Sequence, residues 1–184
     1  TGVALLFNIR LPQNFDSPYK ATSIINFWRR WHITLSNFLM NYIYFPWVKS
    51  LKNINFFNAM MVTFFVFVIC GIWHGPSWLF VIHGSWHGVG LIINHSFKKL
   101  FKFEMNNYVG WFITFNYVNL SLVFFRSDTL DNSISIIKGM LGLNGFGFPI
   151  FFEDKIYIII ILLISILISF VFKNTKYLLE NFGK

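Results

Sequence analysis

Four long apolar segments are the feature that most constrains the fold of this chain. A helix that crosses a membrane needs about 20 predominantly apolar residues, and four segments approach this length: 56–73, 78–95, 108–125 and 156–172. The last of them contains no charged residue and only two serines. The sequence therefore predicts four membrane-spanning helices, and with them an all-α, polytopic membrane protein.

The overall composition supports this class and excludes several others. Of the 184 residues, 55% are hydrophobic and 12% are charged, whereas an average globular protein has about 25% charged residues. Such a chain is too apolar to be disordered, and a single cysteine, Cys70, excludes a disulfide framework. The net charge of +8 does not indicate a nucleic-acid partner, because the basic residues are scattered between the apolar segments. The partner that this composition predicts is membrane lipid.

The charges between the apolar segments predict an orientation. If the four spans alternate, residues 49–55, 96–107 and 173–184 lie on one side of the membrane, with eight lysines against two acidic residues. Residues 126–155 then lie on the other side, with three basic and four acidic residues. Because Lys and Arg accumulate in cytoplasmic loops, we expect the lysine-rich side to be cytoplasmic.

Two further segments complete the expected organisation. Residues 22–48 mix basic and aromatic side chains, which predicts an interfacial or re-entrant helix ending near Pro46. Residues 126–155 form the longest polar connection, where loop or turn is predicted from four residues: Gly142, Gly145, Gly147 and Pro149. The chain is thus divided into residues 1–55, a polar loop with interfacial or re-entrant helices, and residues 56–184, the transmembrane helices.

The first candidate site surrounds His74, which lies between Trp73 and Trp78 in the sequence GIWHGPSW. An imidazole can accept a proton and return it near neutral pH. The Gly-Pro pair after His74 interrupts the helix and is expected to free backbone N–H groups for a developing oxyanion. An equally open alternative is a histidine that only hydrogen-bonds a neighbouring helix.

The second candidate site is the sequence NFWRRWHITLS at residues 26–36. Arg29 and Arg30 are suited to bind the phosphates of an acyl donor or of lipid headgroups. The local pattern by itself favours a plainer interpretation, an interfacial helix anchored by Trp and Arg side chains.

His83 and His87 are four residues apart and so share one face of a helix, as metal-binding pairs do. A zinc-protease motif needs Glu at position 84, which is Gly, and no Cys or carboxylate is near in sequence. The sequence therefore favours interior packing or hydrogen bonding for this pair and predicts no metal site. Gly84, Gly88 and Gly90 favour close helix packing.

Several of these motifs together resemble one family. They are FNIRLPQNFDSPYKATSI at 7–24, FWRRWHITLS at 27–36, GIWHG at 71–75, WHG at 86–88 and VFFRS at 123–127. In these motifs the chain resembles the membrane-bound O-acyltransferase (MBOAT) family, in the branch of alginate O-acetyltransferase and related polysaccharide and peptidoglycan acetylation proteins. The resemblance covers about residues 1–145, and the tail adds little to it.

The resemblance implies a multi-helix fold around a tunnel in the bacterial plasma membrane. It implies that His74 is catalytic and that His32 is a second required residue. The residues predicted to bind substrate beside them are Arg29, Arg30, Trp73 and Trp78. It further implies transfer of an acetyl group from cytoplasmic acetyl-CoA, with no bound cofactor, toward an extracytoplasmic polysaccharide, with an esterase-like partner protein. It also implies that other walls of the tunnel come from an N-terminal half, without which residues 1–184 are expected to be unstable or inactive.

Two alternatives to polysaccharide acetylation stay open on the sequence. One lies within the family, D-alanyl transfer to teichoic acid. The other is a different class of protein, a non-catalytic membrane scaffold or transporter subunit.

The predicted orientation can be tested by cysteine labelling. In a Cys70→Ala background of the complete open reading frame, we expect a membrane-impermeant maleimide added to intact cells to label Asn132→Cys but not Asn181→Cys. Labelling of the tail position and not of the loop position would show the opposite orientation.

Overall fold

A computed structural model describes residues 2–101, 105–145, 156–174, 177–178 and 181, and these residues form helices and turns with no strand. The all-α prediction is thereby confirmed. The α-helices are α1 (Gly2–Leu6), α2 (Ile24–Trp28), α3 (Ile33–Phe38), α4 (Phe45–Ser50), α5 (Phe56–His74), α6 (Trp78–Leu100), α7 (Asn107–Arg126), α8 (Leu130–Met140) and α9 (Ile156–Val171).

Helices α5 to α8 each begin where the sequence supplies a polar N-cap residue. The side chains of Asn55, Ser77, Asn106 and Thr129 accept hydrogen bonds of 2.8 to 3.3 Å from backbone N–H groups two or three residues further on. Such caps satisfy donors that a helix leaves unpaired in its first turn. The helix starts are therefore encoded locally.

The four predicted spans correspond to α5, α6, α7 and α9. Two of them, α5 and α7, are long and apolar enough to cross a membrane by length and composition. Helix α6 has 23 residues, but its histidines, glycines and two terminal lysines make it less apolar. Helix α9 is uniformly apolar and has 16 residues.

Helices α5 and α6 form an antiparallel hairpin whose backbones touch. Gly71 of α5 faces Gly84 of α6, and a methyl group at Gly84 would overlap the carbonyl oxygen of Phe67. Further along the pair, Gly88 packs against Phe64. The expected role of the α6 glycines in close packing is confirmed, and this packing fixes the two helices in register.

Two apolar clusters join the short helices to the hairpin. One connects α2 to α6 and α7 and consists of Ala21, Ile24, Phe27, Leu91 and Val118. The other connects the segment after α3 to α5 and consists of Leu39, Val62, Val66 and Cys70. As a result, the segment that carries FWRRWH is packed against the long helices and held beside them.

The prediction of one helix over residues 22–48 that ends near Pro46 is wrong. The segment divides at His32 into α2 and α3, and a π-helix over Leu39–Tyr44 follows and leads directly into α4. Pro46 follows directly after the π-helix, whose wider turn accommodates the proline ring and its missing N–H inside a continuous helical segment. The chain therefore stays helical to Ser50.

The connection over residues 126–155 is also more ordered than predicted, because it contains α8. Gly142 and Gly145 after this helix adopt positive φ angles of 73° and 82°, so the turn predicted there is confirmed. Gly147 and Pro149 lie outside the described residues.

The contact between α5 and α6 gives a stability prediction with a matched control. Gly84→Ala is expected to lower the free energy of unfolding by about 1–3 kcal/mol, since its methyl group would meet backbone atoms. The methyl group of Gly139→Ala in α8 would meet only an amide nitrogen, at 3.8 Å. This control substitution is expected to be neutral or to raise the free energy of unfolding by up to about 1 kcal/mol, because Ala is the better helix former. Thermal unfolding of the detergent-solubilised protein measures both, and equal midpoints would contradict the packing argument.

Candidate active site

Three histidines from the α5–α6 hairpin lie in one row. The ring centroids of His74 and His83 are 6.4 Å apart, and those of His83 and His87 are 4.7 Å apart. His74 is the last residue of α5, while the other two lie on one face of α6. The hairpin thus brings together a histidine predicted to be catalytic and two predicted to pack in the interior.

His74 is half-buried among aromatic rings. The ring of Phe125, from the end of α7, lies perpendicular to it at 5.1 Å, Trp73 lies at 5.0 Å and Phe80 at 6.1 Å. Its imidazole makes no hydrogen bond to any described residue, so the described residues give no support for a purely structural hydrogen bond to a neighbouring helix. Both ring nitrogens are left for other partners.

The backbone around the Gly-Pro break differs from the expectation of free N–H groups. The Gly75 N–H donates to the Ile72 carbonyl at 3.2 Å, and the Ser77 N–H donates to the Gly75 carbonyl at 2.9 Å. The tight turn satisfies its own donors because Gly75 adopts a φ of 153°, which lets the chain fold back on itself. Neither of these two groups is available to an oxyanion.

His83 and His87 are buried and hydrogen-bonded, as the sequence favoured. Nδ1 of His83 is 2.9 Å from the Ser121 carbonyl oxygen, and Nε2 of His87 is 2.9 Å from the Ser121 hydroxyl. On its other side, Nδ1 of His87 accepts a 3.3 Å hydrogen bond from the indole N–H of Trp28. Among the described residues, no three His, Cys, Asp or Glu side chains are grouped closely enough to hold a metal ion.

His32 combines two unfavourable features. Its backbone adopts a left-handed conformation (φ 42°, ψ 55°) between α2 and α3, and its Nδ1 is buried without a hydrogen-bond partner among the described residues. A non-glycine residue in this conformation costs of order 1 kcal/mol, and such residues concentrate at functional sites. His32 also lies close enough to His74 for a charge on one ring to act on the other. The structure therefore brings the two histidines of the predicted site near each other.

The bend at His32 is held by polar side chains on both sides. The Ser36 hydroxyl is 3.3 Å from the carbonyl oxygens of Trp28 and Trp31 at the end of α2. The Asn14 side-chain oxygen accepts from the N–H and hydroxyl of Thr34 at 3.2 and 2.9 Å. These bonds supply partners for backbone groups that the break between α2 and α3 exposes.

The two arginines of the FWRRWH segment have different surroundings. Arg30 donates from Nε to the Asn26 side chain at 3.1 Å and from Nη1 to the Asp16 carbonyl at 3.2 Å. Arg29 is exposed and lies near His95, toward the lysine-rich end of α6. Of the predicted pair, Arg30 is engaged in holding the preceding loop, and Arg29 projects outward.

Trp73 and Trp78, the other predicted substrate contacts, are 66% and 82% exposed. Trp73 touches the ring of His74, whereas Trp78 begins α6 and makes no ring contact with the histidines among the described residues.

Three residues near the histidines were not singled out from the sequence as site residues. Ser121, Trp28 and Phe125 come from α7 and α2 and reach the α6 histidines only through the tertiary fold. Trp28 and Phe125 do belong to motifs that carry the family resemblance. Ser121 is one of several polar residues in α7, with Thr114, Asn116 and Asn119, so no local signal distinguished it.

Two helices long and apolar enough to cross a membrane and a buried histidine network are features expected of an integral membrane protein with a polar interior. Its family is shown by comparison with known proteins. The chain belongs to the membrane-bound O-acyltransferase (MBOAT) family, whose model matches residues 2–127.

Individual relatives agree with this family. The chain is 42% identical to the peptidoglycan O-acetyltransferase of Helicobacter pylori over 148 residues, 78% of this chain and 28% of the relative. It is 36% identical to the probable alginate O-acetylase AlgI of Pseudomonas putida over 129 residues, 70% of this chain and 26% of that protein. It is 31% identical to the teichoic acid D-alanyltransferase of Streptococcus thermophilus over 153 residues, 71% of this chain and 36% of that protein. The chain thus spans about a quarter to a third of the length of these relatives.

The contrast between the two arginines gives a testable prediction. Arg30→Gln removes hydrogen bonds to Asn26 and Asp16 and is expected to lower the free energy of unfolding by about 1–3 kcal/mol. Arg29→Gln changes an exposed side chain and is expected to change the free energy of unfolding by less than about 0.5 kcal/mol. Thermal unfolding in detergent measures both; a larger loss for Arg29→Gln would show that the assignment of the structural arginine is reversed.

Proposed function

We propose that this chain carries the acyl-transfer site of a bacterial polysaccharide O-acetyltransferase. In this proposal an acetyl group moves from cytoplasmic acetyl-CoA toward hydroxyl groups of an extracytoplasmic polysaccharide, peptidoglycan or an alginate-like polymer. Membership of the MBOAT family supports the class of reaction. The relatives named for peptidoglycan and alginate acetylation support the class of acceptor.

The observation that carries the proposal is the position of His74. It is a half-buried imidazole that makes no hydrogen bond among the described residues, packed by the ring of Phe125 and near His32. In the proposed reaction His74 takes the proton of a hydroxyl group while the hydroxyl oxygen attacks the acyl carbonyl carbon. The carbon–sulfur bond of the thioester then breaks, and the proton passes from the imidazolium to the departing thiolate. His32 orients the acyl group or the hydroxyl.

The distribution of charge supports a donor on the lysine-rich side. Lys98 and Lys99 end α6, and Arg29 projects toward the same end, near His95. From His83 to Lys98 the helix extends about 22 Å at 1.5 Å per residue. Basic groups lie at the C-terminal end of α6, and His74 lies beside its N-terminal end. This arrangement fits a donor whose phosphates bind the basic groups and whose acyl arm reaches His74.

The proposed setting is the bacterial plasma membrane, crossed several times by the protein. An extracytoplasmic, esterase-like partner protein is proposed to complete transfer to the polysaccharide. The relatives at 26–28% coverage indicate that much of their length lies outside the matched region, and we propose that further helices complete the wall of the tunnel beside His74.

A second candidate function is D-alanyl transfer to teichoic acid. The observation that favours it is the 31% identity to the Streptococcus thermophilus D-alanyltransferase. The chemistry at His74 would be the same, because both reactions move an acyl group to a hydroxyl. The acyl group found on the cell wall distinguishes the two functions.

The test is His74→Ala in the complete open reading frame, expressed in cells that lack the native gene. Loss of the base is expected to lower acetate released from the cell wall or exopolysaccharide by at least about 100-fold. Asn116→Ala, an exposed residue of α7, serves as the control and is expected to keep full acetylation. Membrane abundance of both variants is measured by immunoblot.

The outcomes separate the candidates. Unchanged acetylation in His74→Ala at normal membrane abundance would overturn the assignment of His74 as the catalytic base. The remaining candidate would then be a non-catalytic scaffold or transporter subunit. Loss of released D-alanine, with no acetate in the parent strain, would select teichoic acid as the acceptor.

A further inference from the structure

The hydrogen bonds around Ser121 fix the protonation of His87. The indole N–H of Trp28 can only donate, so Nδ1 of His87 accepts. The proton of a neutral His87 is therefore on Nε2, which donates to the Ser121 hydroxyl at 2.9 Å. That hydroxyl donates in turn to the Val118 carbonyl at 2.7 Å. Both nitrogens of His87 and the hydroxyl proton of Ser121 are consequently in use, and neither side chain is free to act as base or nucleophile.

The same reasoning fixes His83 in the opposite form. Nδ1 of His83 lies 2.9 Å from the Ser121 carbonyl oxygen, which can only accept, so Nδ1 carries the proton. The lone pair of a neutral His83 is then on Nε2. This nitrogen makes no hydrogen bond among the described residues.

The ring of His83 adjoins that of His74. The two rings are nearly perpendicular, at 83°, with centroids 6.4 Å apart. Phe125 packs against both, at 5.1 Å from His74 and 5.0 Å from His83. This separation is too long for a direct hydrogen bond between the imidazoles, and it fits one bridging oxygen atom with two ordinary hydrogen bonds.

We propose that His83 is a positioning residue for His74. His74 takes the hydroxyl proton on the nitrogen that faces the substrate, while its other nitrogen already carries an N–H. That second N–H donates to a bridging water, and the water donates to Nε2 of His83, whose Nδ1–H is held by the Ser121 carbonyl. The hydrogen bond from His74 to the water strengthens when the ring becomes charged. No proton leaves His74 along this path, so it remains available for the departing thiolate.

This role matches the third member of a nucleophile–base–orienter arrangement. The acceptor here is a neutral imidazole, which costs less to bury in an apolar interior than a carboxylate does. The Ser121 carbonyl fixes which nitrogen of His83 carries the proton and leaves Nε2 as the acceptor, because rotating the ring would break a hydrogen bond between buried groups. The inference rests on the proposed role of His74 as base.

The test compares two substitutions at position 83 in the complete open reading frame. His83→Leu removes the acceptor, and kcat is expected to fall about 10- to 100-fold with KM for acetyl-CoA within about twofold, since the lost contact strengthens when His74 becomes charged during the reaction. His83→Gln retains an acceptor oxygen, and its kcat is expected to stay within about fivefold of the parent. Initial rates of acetyl transfer from radiolabelled acetyl-CoA to peptidoglycan in isolated membranes give both constants.

Controls separate this inference from a purely structural role and from the proposed function. Asn116→Leu on α7 is expected to keep the parent constants, and membrane abundance normalises every rate. An unchanged kcat in His83→Leu would overturn the inference, as would equal losses in the Leu and Gln variants. His74→Ala is measured in the same series. If His74→Ala keeps the parent rate, the proposed function is wrong. If His74→Ala loses activity while His83→Leu keeps the parent kcat, only the proposed role of His83 is wrong.

Discussion

The contact between the α5 and α6 backbones at Gly71 and Gly84 is the interaction on which the rest of the arrangement depends. It allows the two helices to approach until side chains on their adjoining turns share one space. His74, at the end of α5, is thereby placed 6.4 Å from His83 on α6. A larger residue at either glycine would push the helices apart, and the histidine row would lose its spacing before any hydrogen bond in it was changed.

A second constraint is that polar groups inside an apolar helix bundle need hydrogen-bond partners from the protein, because apolar surroundings do not provide water as a partner. His87 meets this need fully through Trp28 and Ser121, and His83 meets it on one nitrogen. His74 and His32 do not meet it among the described residues, and His32 also carries a left-handed backbone. The satisfied groups hold the interior together, and in the proposed function a substrate supplies the contacts that His74 and His32 lack.

Sequence reasoning reached the helices and the family but not the local geometry. It identified the four apolar helices, two of which are long and apolar enough to cross a membrane, and placed His83 and His87 on one helix face. Hydropathy and helical periodicity depend only on local spacing. Sequence reasoning failed between residues 22 and 48, where side-chain hydrogen bonds of Asn14 and Ser36 hold the bend at His32 and the π-helix before Pro46 packs against α5. It also expected free N–H groups after His74, whereas the Gly75 turn bonds its own donors. The roles of the site residues, the orientation and the division into two parts stay predictions.

The sequence by itself determined the class of molecule, the family and the two histidine motifs, since composition, hydropathy and motif identity can be read along one chain. Only the tertiary structure decided which residues meet. Trp28 and His87 are 59 residues apart, and His83 and Ser121 are 38 apart, so no local pattern encodes their hydrogen bonds. It also decided that Arg30 is occupied while Arg29 is exposed, although the two are adjacent and chemically identical. The physical reason is that a hydrogen bond depends on distance and direction in space, and these are set by how the helices pack rather than by the order of residues.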